Sequence, residues 1–191
     1  MAQSKIATVD MKKIFDRYWK KKAAEEQLKD QQATMEKEEK SMNEEYNQVK
    51  DEYEKLNAAT VDSNISPEER DKRKKSADEK LKKMNDLREA FKQYDANAKT
   101  RLMEQGQRLK GRIIDEIRNQ ATAKAKAQGF ALVIDTAAVS GDGIPVILYS
   151  NNENDITEAV LVELNRGAQP DPSKTEDKPA EKKDETRKAG K

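Results

Sequence analysis

Eight of the fourteen residues from 70 to 83 are basic: Arg70, Lys72, Arg73, Lys74, Lys75, Lys80, Lys82 and Lys83. Such a cluster attracts phosphate and carboxylate groups, through space and by charge-assisted hydrogen bonds. A second set is soft and apolar: Met42, Tyr46, Tyr53, Met84, Phe91 and Tyr94, with Val61 and Ile65 between them in the chain. Methionine and aromatic side chains adapt to varied surfaces, so these eight are candidates for contact with another polypeptide. At helical spacing the Met and Tyr residues also form a packing seam. Covalent and metal chemistry is poorly served. The chain has no His and no Cys, which removes thiol nucleophiles, Cys/His zinc sites and the imidazole base. There is no phosphate-binding glycine loop. Asp10 and Asp135 end two similar strands, where capping and turn formation account for them. Neither catalysis nor a cofactor nor a bound metal is expected.

The elements that would position these residues are long helices. From residue 11 to 65 there is neither Pro nor Gly, and Leu28, Met35, Met42, Val49 and Leu56 recur at every seventh position. With Tyr46 and Tyr53 in the alternate slot, this is a coiled-coil seam, less pure at Gln32 and Glu39. It predicts one helix over 11–56. Ser66-Pro67-Glu68-Glu69 then reads as a capping box with Pro at the first helical position. A second helix is predicted from Pro67 to Gln128, ended by Gly129, with a stripe from Leu81 through Phe91, Leu102 and Leu109 to Ile117. At 1.5 Å per residue the two would be about 69 and 93 Å long. Folded back as an antiparallel hairpin, roughly the last sixteen residues of the longer helix lack a partner. Ile113, Ile114, Ile117, Ala121, Ala123 and Ala125 lie there and should pack on something else. Gly106 and Gly111, just before that zone, read as a hinge between arm and body.

Two short apolar stretches, "KIATVD" at residues 5–10 and "FALVID" at 130–135, bracket the hairpin. Hairpin geometry brings them together, so they can share a sheet. A third strand is expected at Pro145–Tyr149 after the Gly-Asp-Gly turn, and a short helix opening at Asp155-Ile156-Thr157-Glu158, a second capping box, and ended by Gly167. The organisation is an α+β body (1–10 and 129–167), a helical hairpin arm (11–128) and a Pro/Lys/Glu-rich tail (168–191) expected to be disordered. A body of three strands and one helix is a marginal core, so oligomerisation is expected. Ile6, Val9, Phe130, Leu132, Ile134, Val146 and Leu148 are the body's apolar residues for that purpose.

Charged residues make up 39% of the chain and apolar ones 34%, too little apolar material for a round core but suited to exposed helices. The net charge is only +1. The basic excess lies in the second helix and the acidic excess in the body. No apolar run is long enough to span a bilayer, and the first ten residues lack the apolar region of a signal peptide. That fits a cytoplasmic protein, or a mature chain carrying an added Met.

"KIATVDMKKIF", "FALVIDTAAV" and "NDITEAVLVELN" together resemble the Skp/OmpH-like family of periplasmic chaperones, over residues 5 to 166. The resemblance implies a jellyfish-like homotrimer, with helical arms enclosing a cavity beneath a β-structured centre. It also implies an ATP-independent holdase for unfolded outer-membrane proteins. The periplasm is then the expected compartment, with the export signal missing from the sequence as given. Family members are often strongly basic, a departure here; the basic arm would still attract acidic clients and anionic lipid headgroups. No residue is assigned to a lipopolysaccharide site. Two other readings stay open: a structural coiled-coil spacer, and a nucleic-acid binder using Arg70–Lys83. The second is the weaker, because that stretch lacks interleaved aromatics and faces Asp51, Glu52 and Glu54. A prefoldin-like chaperone fits less well, since the strands lie at the base of the hairpin. No specific nucleic acid is expected as a partner.

Overall fold

The computed structural model describes residues 5–62 and 65–168. The tail assigned to 168–191 therefore lies outside the described residues apart from Ala168. In chain order the elements are β1 (Ile6–Val9), α1 (Met11–Arg17), α2 (Trp19–Thr60), α3 (Pro67–Ala127), β2 (Leu132–Asp135) and α4 (Thr157–Asn165).

α2 and α3 form the antiparallel hairpin, and its register can be followed through cross-helix neighbours. Glu52 meets Lys80, Glu45 meets Lys83, and Glu38 meets Tyr94. Gly106 lies against Leu28, and Glu116 holds Lys20. The heptad residues Leu28, Met35, Met42 and Leu56 are half-buried between the helices and Val49 is buried, as a two-helix seam requires. Ser66 caps α3 by accepting from the Glu69 N–H at 3.2 Å, with Pro67 at the first position. Only that half of the expected capping box forms. The Glu69 carboxylate turns outward to Arg73 Nε at 3.1 Å.

The overhang of α3 builds the body. Ile113, Ile117, Ala121 and Ala125 face one way and join Ala7, Val9, Ile14, Tyr18, Ile156, Val160 and Leu161 in one core. Ala123, expected among them, is exposed because it sits on the opposite side of the helix. The overhang also explains the strand direction. It carries the chain past the sheet to the start of β1, where the helix ends. Phe130 N–H bonds to Ala125 O at 3.0 Å and Gly129 N–H to Lys126 O at 3.1 Å, with Gly129 at φ 72°. This is a Schellman stop, which only a residue content at positive φ allows cheaply. β2 then runs beside β1 in the same direction, Ile6 opposite Leu132 and Val9 opposite Asp135. Phe130, expected in the strand, is used by this stop, so β2 begins at Leu132.

Three further expectations need correction. The first helix is broken: Tyr18 has extended geometry (φ −74°, ψ 124°) and separates α1 from α2, which runs on to Thr60 rather than ending near Leu56. The break lets the Tyr18 side chain turn into the core, where it is 4% exposed. Next, Pro145–Tyr149 is not a strand. Pro145 makes a single antiparallel bridge to Val139 across the Gly143 turn, and Leu148 and Tyr149 are 85% and 83% exposed. β1 is already flanked by β2 and by Asn154–Ile156, and the segment folds back on Ala138–Ser140 rather than joining the open edge of β2. Finally, α4 has no capping box. Asp155 Oδ1 accepts from the Thr157 N–H at 2.6 Å, whereas Glu158 bonds across to α1.

Candidate functional site

Two surfaces merit the description: the arm, and the apolar edge of the body. On the arm, Met42, Tyr46, Tyr53, Met84 and Tyr94 are half-buried in the seam, which is the packing role their spacing indicated. Tyr94 lies in a groove with Thr34, Met35 and Glu38 of α2 and Ala98, Arg101 and Gln105 of α3. Its hydroxyl is pushed up to about 12, first by the hydrogen bond to the Glu38 carboxylate and then by burial. Ile65 is half-buried at the tip. Phe91 and Val61 differ from these. Phe91 is 37% exposed on α3, and Val61, at the end of α2, is 82% exposed. Leu81 and Met103 are exposed as well. Leu81 belongs to the predicted stripe, and Met103 lies outside it, one residue after the stripe position Leu102. An apolar residue beside the stripe was the available signal.

The basic stretch is less basic in space than in sequence. Lys80 pairs with Glu52 of α2, and Lys83 with Glu45 at 2.9 Å. Arg73 is held by Glu69 and by the Ala59 carbonyl at 3.2 Å, and Arg70 reaches the Asp62 carbonyl at 3.3 Å. The arginines thus close the tip, satisfying carbonyls left over at the end of α2. Lys72, Lys74, Lys75 and Lys82 are exposed and without an ion pair among the described residues, but Glu68, Asp71, Asp78 and Glu79 are interleaved with them. Lys80 holds the Glu52 carboxyl below its ordinary range. The tip is a nearly balanced charged surface.

Gly106 and Gly111 both lie within the unbroken α3. A side chain at Gly106 would meet Leu28 at ordinary contact distance, 3.6 Å, whereas one at Gly111 would meet nothing within 4 Å.

The body residues divide into two groups. Val9 is buried in the chain's own core and Phe130 packs against it. Ile134 is half-buried. Ile6, Leu132, Val146 and Leu148 are exposed, together with Val139, Ile144, Tyr149 and Val162. β2 has no second strand neighbour among the described residues. Eight exposed large apolar residues in so small a body are the kind of surface on which association is built. Among the described residues no helix is long and apolar enough to cross a membrane.

A protein-family model described as outer membrane protein (OmpH-like) matches residues 5–164, from the first strand through α4. A search of curated proteins gave no match.

Proposed function

Since the chain belongs to the outer membrane protein (OmpH-like) family, we propose that it is a periplasmic, ATP-independent holdase that keeps unfolded outer-membrane β-barrel proteins from aggregating. The observation that carries this reading is the arm. A 42-residue and a 61-residue helix pair along a thin seam, leaving Val61, Leu81, Phe91 and Met103 exposed on an otherwise charged surface. An unfolded barrel strand alternates apolar and polar residues. It needs many shallow apolar contacts rather than one deep pocket. Scattered contacts are individually weak, strong together, and separable without nucleotide hydrolysis.

Trimerisation supplies the multiplicity. The exposed Ile6, Leu132, Val146, Leu148 and Tyr149 give three bodies an apolar surface to share, and the three arms then stand around a common cavity. The basic excess of α3 draws acidic clients toward the arms. Anionic headgroups are a weaker partner, because the tip lysines and arginines are so largely paired or balanced. The same balance speaks against nucleic acid. Neither role needs a cofactor.

A photo-crosslinking residue placed at Phe91, Met103 or Val61 tests the contact surface. With an unfolded β-barrel protein present, adducts are expected at these positions and not at Gly141 in the body loop. Adducts on the body alone would overturn the arm-contact reading.

A further inference from the structure

We infer that Met103 is a site of oxidative modification, and that its conversion to the sulfoxide by a peroxide loosens the arm's hold on a client without disturbing the fold. The chemistry stands on the geometry of the arm alone. The consequence for the client rests on the proposed holdase reading. The chain has six Met and no Cys, so the thioether is its only sulfur. Among the described residues every Met but one is shielded. Met11 is partly buried against the core of the body, Met35 is half-buried in the groove beside Tyr94, and Met42 and Met84 are half-buried in the seam. Met103 is 59% exposed.

Its place on α3 explains the difference. Leu102, one residue before, turns into the seam and is half-buried. A further rotation of about 100° carries Met103 out to the flank of the helix. There it borders a shallow depression whose lining includes Leu28 and Leu102, with Lys29 and Lys99 beside them. With the thioether reduced, Met103 and the two leucines make one apolar contact area on a charged pair of helices.

A peroxide reaches this sulfur without any opening of the hairpin. The sulfur lone pair attacks one peroxide oxygen, and the S–O bond forms as the O–O bond breaks. The departing oxygen keeps the O–O electron pair and takes up the proton of the transferred hydroxyl group, which gives water when the oxidant is hydrogen peroxide. Sulfur is oxidised by two electrons and the peroxide is reduced by two. The product is polar and chiral where the thioether was apolar and adaptable. Its oxygen accepts hydrogen bonds, and Lys29 and Lys99 offer N–H donors at the same depression. An apolar client side chain loses its partner there. The same change at Met42 or Met84 would place a polar oxygen between the helices and weaken the hairpin itself. Selective oxidation at Met103 therefore modulates the contact surface and spares the fold, and reduction of the sulfoxide restores it.

The full-length protein is treated with a limited dose of hydrogen peroxide, the excess is removed with catalase, and each methionine is quantified by peptide mass spectrometry. A fluorescently labelled, urea-unfolded outer-membrane β-barrel protein then reports binding by anisotropy. Met103 is expected to oxidise about tenfold faster than Met35, Met42 and Met84, with the helical circular dichroism signal kept. Client binding should weaken about threefold and return after treatment with methionine sulfoxide reductases for both epimers. Each variant is compared with itself before and after peroxide. Met103→Leu should show no change, whereas Met84→Leu should respond as the unaltered chain does. Oxidation of the seam methionines as fast as Met103 overturns the site. Equal loss of binding in Met103→Leu, or no loss in a sample whose Met103 is fully oxidised, overturns its coupling to the client. Untreated protein that binds no client sinks the holdase reading and the coupling with it, while the mass spectra still decide the site.

Discussion

Glu158 shows how single charges fasten this molecule. Its carboxylate is held below the usual value of 4.5 first by the hydrogen bond from Lys13; burial opposes this, and Arg17 adds to the lowering. Glu52 is lowered by Lys80. At Glu116 burial pushes upward, but the Lys20 ammonium and the Tyr18 hydroxyl outweigh it and the net shift is downward. Each folded-state pKa therefore lies below its unfolded counterpart. The stability they contribute is present above about pH 4.5 and is lost as pH falls through the folded values. Thermal unfolding should be flat from neutrality to about pH 5 and decline below about pH 4.5. The double variant Glu52→Gln, Glu158→Gln should show a shallower decline, and an unaltered acid limb would contradict the assignment. Apolar residues separate as clearly. Ile117 is fully buried and Val61 is almost fully exposed. By urea denaturation Ile117→Ala should cost about 2–5 kcal/mol, and Val61→Ala less than about 0.5 kcal/mol.

At the scale of elements, what was legible in the sequence was whatever rests on local signals. The heptad of α2 from Leu28 to Leu56, the Ser66-Pro67 start of α3 and its stop at Gly129 all depend on residues within a turn or a few turns of one another. The meeting of residues 6–9 with 132–135 is not local, but it follows once the hairpin is recognised, because the hairpin brings its two ends together. The break at Tyr18 was not legible. "FDRYWKK" contains no Pro, Gly or capping residue at that point, and the break is stabilised by Asn165, 146 residues later. The segment Pro145–Tyr149 has strand composition, but beyond its bridge to Val139 it pairs with no strand among the described residues, and composition cannot supply one. Charge pairing across the arm was equally hidden. Counting the basic residues of 70–83 says nothing of Glu45 and Glu52 on the other helix. The glycines yield a test at this scale. Gly106→Ala and Gly111→Ala should each stabilise α3 by about 0.5–1 kcal/mol, since neither new Cβ meets a clash. Gly129→Ala should destabilise by about 1 kcal/mol, because the position sits at φ 72°. Equal effects at all three positions, read by denaturant midpoints, would contradict the distinction.

For the whole molecule, the body carries the surface on which the proposed assembly would rest, and the arm carries what that assembly would multiply. A two-stranded sheet with a bare edge and an apolar loop ending in Leu148 and Tyr149 is a surface that asks for cover. Replacing Leu148 and Tyr149 with Lys should shift the assembly toward monomers in sedimentation experiments while the far-ultraviolet helical signal is kept. Retained assembly would move the interface elsewhere. On the proposed reading, three arms around one cavity would turn isolated exposed residues into a multivalent surface. The measurement that tests this account most directly is suppression of aggregation without nucleotide. A urea-unfolded outer-membrane β-barrel protein is diluted into buffer with and without this protein, and light scattering is followed. The account predicts suppression that saturates near one trimer per client. Undiminished scattering, from a sample shown to be folded and assembled, would contradict it and leave the arm as a structural spacer.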